Sequence, residues 1–508
     1  MVLLLPTMTA RAAGPAAPRT GKVATGPARS LGEPAAAQDS AASAVTATTF
    51  GAAGAQAGVW TRRADTTAWR RAGSILPSGF GTSYDPAAAA APGGPLLVVA
   101  GTAPPGESCI TNGSVAIASV DSSGRLGAAR LVSDQRGTGS FDDRPTVAVG
   151  AGGMVWVAWS QGPDGDACQN VGSGDRIEVA ASRDDGRTFG APTPLPADGG
   201  SSAFGVRLAP LPGGQVAVSW TETMATGDQG VLVSVVGADG RPGQPTVALS
   251  GDGPPLVLPG ASFYDFPAGD MAALPNGRLL VAAPFWVADR SVIELASGTP
   301  GGRWQKATVR PPGGSDLLLP ALGLLTSVDV RLVCAVHIRV GDRLGYDWAS
   351  LAVNAQGAPN VGSAGLTALT AAPAGPGFFE IGEELALSHT PGGLLGAVVV
   401  AGQDGAALET ATFTAPPAAA TPAAATPRKA GATPPGSSSS RSPSGSGRTG
   451  PGTGGARAGD GGSSGLGATV AWVAGAVALC CAVGAGALVL RRRRAASGRH
   501  QLPSHRRQ

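Results

Sequence analysis

Four His and five Cys in 508 residues leave little with which to ligate a metal. His337, His389, His500 and His505 are scattered, none at ligand spacing from another donor, so no metal and no cofactor is expected. Lys is nearly absent beside Arg, and charged residues are only 14% of the chain. The net charge of +3 comes from residues 491–508, which hold seven Arg and no acid. The remainder has 30 basic and 34 acidic residues, about −4. A mildly acidic body lacks the electrostatic footprint of nucleic-acid binding, so no nucleic-acid partner is expected. Walker, dinucleotide-binding and Gly-x-Ser-x-Gly motifs do not occur in a supporting context. Tyr occurs only as Tyr84, Tyr264 and Tyr346.

What is abundant is Gly and Pro, together 122 of 508 residues, unevenly spread. The Ala, Gly, Pro and Arg bias is that of a GC-rich bacterial coding sequence. Residues 1–57 are expected to be a trimmed export signal followed by a disordered segment, with Ala10-Arg11-Ala12 placed like a signal-peptidase site. Residues 415–465 are Pro, Ser, Gly and Ala-rich with almost no large apolar residue; such a stretch cannot bury enough surface to offset chain entropy, and reads as a disordered stalk. Residues 466–490 carry no charge, long enough to cross a hydrocarbon core of about 30 Å as a transmembrane helix. Arg491 to Arg494 follow at once and should hold that end in the cytoplasm, as a basic tail over 491–508. No Leu-Pro-x-Thr-Gly sorting signal precedes the span, so the helix is expected to remain as the anchor. The expected location is the plasma membrane, single-pass, with the domain at 58–414 extracellular.

That domain repeats. A small-residue turn, often Pro-Gly-Gly or Pro-Asn-Gly, precedes a β-rich apolar run at Gly94, Gly153, Gly214, Gly277 and Gly393. A copy at Val330 lacks the glycines. The steps are 59, 61, 63, 53 and 63 residues. Each copy adds a strand before the turn, a third strand after it, and a hairpin whose tip carries an acid, Asn or Gly. Four antiparallel strands repeated six times predict an all-β fold, a six-bladed β-propeller. The last copy lacks a fourth strand. Residues 58–75 read as an outer hairpin that would pair with it and close the ring, removing a sheet edge.

One hairpin reads Ser182-Arg183-Asp184-Asp185-Gly186-Arg187-Thr188-Phe189. Ser182 and Asp184 can accept from turn amides, Gly186 can supply a positive φ, and Phe189 can pack beneath. Worn versions stand at Ser297 to Trp304 and Arg62 to Trp69. The pattern is that of the Asp-box, and the copies resemble the BNR repeats of the sialidase family over about residues 58–413. The resemblance implies that Ser182, Asp184, Gly186, Thr188 and Phe189 form a structural rim hairpin away from the catalytic face. It also implies three Arg holding a carboxylate, an Asp acid/base, and a Tyr nucleophile with a Glu partner. The family's Arg-Ile-Pro signature near the start is missing here.

Residues just before the innermost strands, which would surround the central channel, include Tyr84, Asp85, Phe141, Asp142, Asp143, Arg144, Phe204, Tyr264, Asp265 and Glu380. Tyr264, Asp265, Asp85 and Asp143 are the catalytic candidates. Tyr84, Asp142, Arg144, Arg207 and Glu380 are the ligand-binding candidates, with Arg331 a further Arg. Cys109 and Cys168 occupy equivalent loops of neighbouring copies and are expected to form a disulfide. Cys334 is expected to be a packed thiol. The leading expectation is an extracellular propeller that binds a glycan or protein ligand without catalysis. An exo-alpha-sialidase or related glycoside hydrolase is the alternative, and a structural envelope protein the third.

Overall fold

A computed structural model describes residues 18–415 except 27–30, 52–53, 91–94, 106–111, 164–174, 197–201, 225, 256, 264–266, 312, 327–328, 355–356, 372–384, 391 and 403–404. Its strands form seven four-stranded antiparallel sheets. The blades span residues 31–74, 82–131, 140–194, 202–251, 270–309 and 315–371, and the seventh combines 386–414 with the strand Arg19–Gly26. The first strand of each blade contacts the first strand of the next, and blade 7 contacts blade 1. This is a closed seven-bladed β-propeller.

The prediction of six blades is corrected by the blade at 31–74, built from Leu31–Gln38, Ala42–Gly51, Gly54–Arg63 and Arg70–Ser74. Much of it lies in the stretch expected to be disordered, because ASAVTATTFG has too few large apolar residues to stand out. Ala44, Val45, Thr46, Ala47 and Thr48 are nonetheless fully buried. Small side chains suffice because adjacent blades approach closely and cover both faces of the sheet. Residues 58–75 do not close the ring; they belong to the outer half of blade 1. Closure comes instead from Arg19–Gly26, which pairs antiparallel with Gly405–Thr414 as the outer strand of blade 7. The expected stalk, helix and tail lie outside the described residues. Among the described residues, no helix is long and apolar enough to cross a membrane.

Strands in the middle of a blade are buried on both faces, which explains their nearly continuous apolar runs. In Val155–Pro163, Trp156 and Ala158 pack with Val206, Val218 and Trp220 of blade 4. Val155, Val157 and Trp159 point the other way, to Leu97, Val99 and Ile117 of blade 2.

The inner strands share a second feature. Those of blades 1, 2, 3, 4 and 6 are bulged at Glu33, Asp85, Arg144, Gly205 and Leu319, whose φ values are 50, 47, 51, 63 and 44°. Four of the five precede a proline: Pro34, Pro86, Pro145 and Pro320. Proline has no N–H to give to the ladder, so the pairing breaks there and the strand bends. Left-handed non-glycine residues cost about 1–3 kcal/mol each and persist only where surroundings hold them. The bulges therefore concentrate backbone strain around the channel, one residue after Asp143 and two after Asp142.

Candidate functional site at the channel mouth

The mouth is the end at which the inner strands begin. Asp142 and Asp143 are adjacent, and strand alternation sends them to opposite faces of blade 3. Asp142 is fully buried on the side of blade 2, where the Ser133 hydroxyl donates to it. Gln135 Nε2 donates at 3.0 Å and Gln161 Nε2 at 2.8 Å. Burial pushes its carboxyl up from the usual range, and these hydrogen bonds oppose the shift. Each carboxylate oxygen is satisfied by protein, so Asp142 holds the blade 2–blade 3 junction.

Asp143 lies on the other face, toward blade 4. Its Oδ1 accepts the Arg144 N–H at 3.0 Å, and its Oδ2 is 3.6 Å from Arg144 Nε. Its register partner is Ser160, which in turn pairs with Ile177. Asp175, two residues before Ile177, belongs to the same face. A Cβ built on Gly162 would lie 2.2 Å from Asp175 Oδ1, so the carboxylate lies across that glycine. Burial pushes the Asp175 carboxyl up to about 6; the Asp143 charge adds to this and Arg144 opposes it. Ser160 is 6% exposed and its hydroxyl has no hydrogen-bond partner. Asp175 and Ser160 were not among the predicted site residues. The cue was weak: Asp175 opens a third strand rather than an inner one.

Asp175→Asn gives a test with a defined sign. A carboxyl raised from 3.8 to about 6 on folding favours the folded state fully below pH 3.8, and that advantage is lost as pH rises through 6. The variant should therefore be more stable than the parent at pH 7.5, by about 2–3 kcal/mol at most, and show no gain at pH 4. Thermal melting at the two pH values reads this; an equal effect at both would show that Asp175 is not a strained carboxylate.

The other predicted residues have other tasks. Tyr84 is 3% exposed, its ring fills the space over Gly101 and Gly113, and its hydroxyl is 3.5 Å from the Asp142 carbonyl. The Asp85 N–H donates to Glu33 Oε2 at 3.0 Å, so a carboxylate of blade 1 ties the bulge of blade 2. Arg207 Nε is 3.6 Å from Asp270 Oδ1, linking blades 4 and 5. Asp270 Oδ2 then accepts the Leu322 N–H of blade 6 at 2.6 Å. Arg331 sits at the opposite end of its blade, with Asp329 at 2.7 Å. Tyr264, Asp265, Glu380, Cys109 and Cys168 lie outside the described residues. Cys334 is a buried free thiol, its pKa pushed up by burial and then by Asp347.

A second charged cluster, not foreseen, joins blades 5 and 6 at the mouth end of their strands. Asp316 is fully buried and takes Arg339 Nε and Nη2, both at 2.8 Å, and the Ser291 N–H at 2.9 Å. His337, also fully buried, lies 3.5 Å from Asp316 and 3.2 Å from Asp342, with the Phe263 ring edge-on at 5.2 Å.

The Ser182 hairpin is at the far end of blade 3 from the mouth, since Ser182 pairs with Val155 whereas Gln161 pairs with Arg176. The Ser182 hydroxyl donates to Asp184 Oδ1 at 2.6 Å and accepts the Gly186 N–H at 2.9 Å. Asp184 Oδ1 also accepts the Thr188 N–H at 2.9 Å, and Oδ2 the Thr188 hydroxyl at 2.6 Å. Hydrogen bonds from Ser182 and Thr188 hold the Asp184 carboxyl well below its usual range. Gly186 has φ 75°, and Phe189 packs against the blade 2–blade 3 core. Asp184→Ala is expected to lower the melting temperature modestly and leave any binding at the mouth unchanged. Lost binding at unchanged melting would place the functional face at this end.

No family model and no curated protein matches the chain. Among solved structures, it is similar to a polysaccharide lyase family 25 ulvan lyase bound to -[GlcA(1-4)Rha3S]-, at 11% identity over 78% of this chain and 96% of that one, TM-score 0.48. It is also similar to a Hadza microbial sialidase, at 10% identity over 72% and 74%, TM-score 0.44. A third is a Penicillium chrysogenum alpha-L-arabinanase complexed with arabinobiose, at 11% over 65% and 97%, TM-score 0.42. The fold assignment rests on the strand pairings above.

Proposed function

We infer that the chain is a membrane-anchored extracellular propeller that binds a glycan at the channel mouth without catalysis. The observation that carries this is the blade 3 constellation: Asp143 and Asp175 on the face toward blade 4 beside Arg144, acceptors and a donor for hydroxyl groups at the mouth end of the blade. The three candidate Arg do not form the carboxylate-holding trio of a sialidase. Arg144 and Arg207 each lie against an Asp, and Arg331 is at the other end. Tyr84 and Tyr346 are buried, and the Tyr346 hydroxyl donates to the Val399 carbonyl. The anchor rests on residues 466–490 and the Arg run after them.

A hydrolase is the second reading, favoured by Asp175. A carboxyl raised to about 6 beside a second carboxylate has the protonation behaviour of a general acid. The two readings separate when the full-length chain in detergent is applied to a glycan array and then incubated with aryl glycosides, sialosides included. Retention without aglycone release supports binding. Release that Asp175→Asn abolishes makes it an enzyme, and neither retention nor release removes both.

A further inference from the structure

The two faces of blade 3 differ in a way that assigns a ligand chemistry. On the blade 2 face, the Asp142 carboxylate is fully engaged by Ser133, Gln135 and Gln161. On the blade 4 face, the Ser160 hydroxyl is more than nine-tenths buried and has no partner, although it stands opposite Asp143 in the ladder. Buried hydroxyls are satisfied by protein, water or ligand, so this one marks a position where an outside polar group belongs. The surrounding groups fix what that group can be. Asp143 and Asp175 accept, Arg144 donates, and Ser160 does either. On this face stand Asp143 and Asp175 against Arg144, an excess of carboxylate. Arg207, the guanidinium on the neighbouring inner strand, lies against Asp270. A sugar hydroxyl meets an acceptor here, while an added carboxylate or sulfate would meet like charge.

We propose that the blade 3–blade 4 sector of the mouth, formed by Asp143, Ser160 and Asp175 beside Arg144, is a subsite for the hydroxyl groups of a neutral sugar and excludes anionic sugars. This rests on the glycan-binding reading and names its ligand class, which lacks the carboxylate of the sialosides that the sequence resemblance implies.

The test uses the full-length chain in detergent and ligand-observed NMR. The probes are the methyl glycosides of glucose, galactose and mannose, with methyl glucuronide and a methyl sialoside as the anionic counterparts. At least one neutral glycoside should bind and neither anionic one should. Asp175→Asn and Ser160→Ala should each weaken the neutral glycoside at least tenfold. Gly162→Ala provides a variant that keeps every charged group: its methyl displaces the Asp175 carboxylate and should weaken binding to a similar degree at unchanged melting temperature. Neutral binding indifferent to all three variants overturns the subsite and leaves glycan binding standing. Anionic glycosides binding as well as neutral ones overturn the charge selection alone. Binding of neither class overturns the subsite together with the glycan reading.

Discussion

Removing residues 1–26 is expected to destroy cooperative unfolding of the propeller, whereas removing residues 1–17 leaves its melting temperature unchanged. The difference is the strand Arg19–Gly26. It runs along Gly405–Thr414 from Arg19 opposite Thr412 to Gly26 opposite Ala406. The Thr410 hydroxyl donates to the Gly21 carbonyl at 3.1 Å, and Val23 and Ala24 pack on the cluster that joins blade 7 to blade 1. At about 0.5–1.5 kcal/mol net for each ladder bond, the strand contributes on the order of 5 kcal/mol, comparable with the whole margin of a domain at about 5–15. Its loss also leaves Gly405–Thr414 as a bare edge, which invites association between chains. Calorimetry and light scattering on both truncations read the two effects. A synthetic peptide of residues 18–27 added to the longer truncation should restore part of the transition. Identical melting of the two truncations would mean that the ring is held by something other than this strand.

That strand also shows where the sequence stops being legible. The propeller is readable because five copies keep a glycine turn before an apolar run, and turn plus period name four-stranded blades. Blade 1 repeats at the same interval, its Asp39 turn standing 55 residues before Gly94. Its strands are Ala, Ser and Thr, however, and composition alone cannot separate such a strand from a polar tail. RTGKVATG is hidden for a stronger reason: its partner is almost 390 residues away, and nothing local marks it as a strand. The site divides along similar lines. That acids and aromatics collect at the start of the inner strands is visible in Phe141 to Arg144, which lie within Ser140–Val149. That Asp142 is a structural group and Asp143 a candidate ligand depends on which face each occupies, and a one-residue change of register would exchange them. Glu33, Asp270 and Asp316 act across blade boundaries, on Asp85, Leu322 and Ser291, so no spacing within one copy announces them. The repeated X-Pro pair of the inner strands marks four of the bulges in the sequence itself.

Asp316→Ala is expected to cost about 3–5 kcal/mol, the largest loss from any single side chain at the mouth. Removing one member of a buried charged network strands the others. Here the Arg339 guanidinium loses both of its bonds to Asp316, the Ser291 N–H loses its acceptor, and buried His337 is left facing Asp342 alone. Blades 5 and 6 are joined at this point, because Ser291 belongs to one and Asp316 to the other. Burial by itself would push the Asp316 carboxyl up, but Arg339, His337 and the Ser291 N–H together outweigh it and hold the group below its usual 3.8. The sign of the pH dependence follows. With the folded value depressed, the carboxylate contributes its full stability above about pH 4 and loses it as pH falls below that. The parent should therefore lose stability on acidification from pH 5 to pH 2, and Asp316→Ala should lose less over the same range because its largest acid-sensitive contribution is already gone. Urea midpoints of parent and variant at pH 7, 5 and 2 read both statements. Curves that stay parallel through that range would show the network to be held by Arg339 on Trp286 and the Asp289 carbonyl rather than by the carboxylate. Arg339→Lys separates those possibilities further. It keeps a charge beside Asp316 but gives up the two-pronged bond, and should cost less than Asp316→Ala only if charge, rather than geometry, holds the junction.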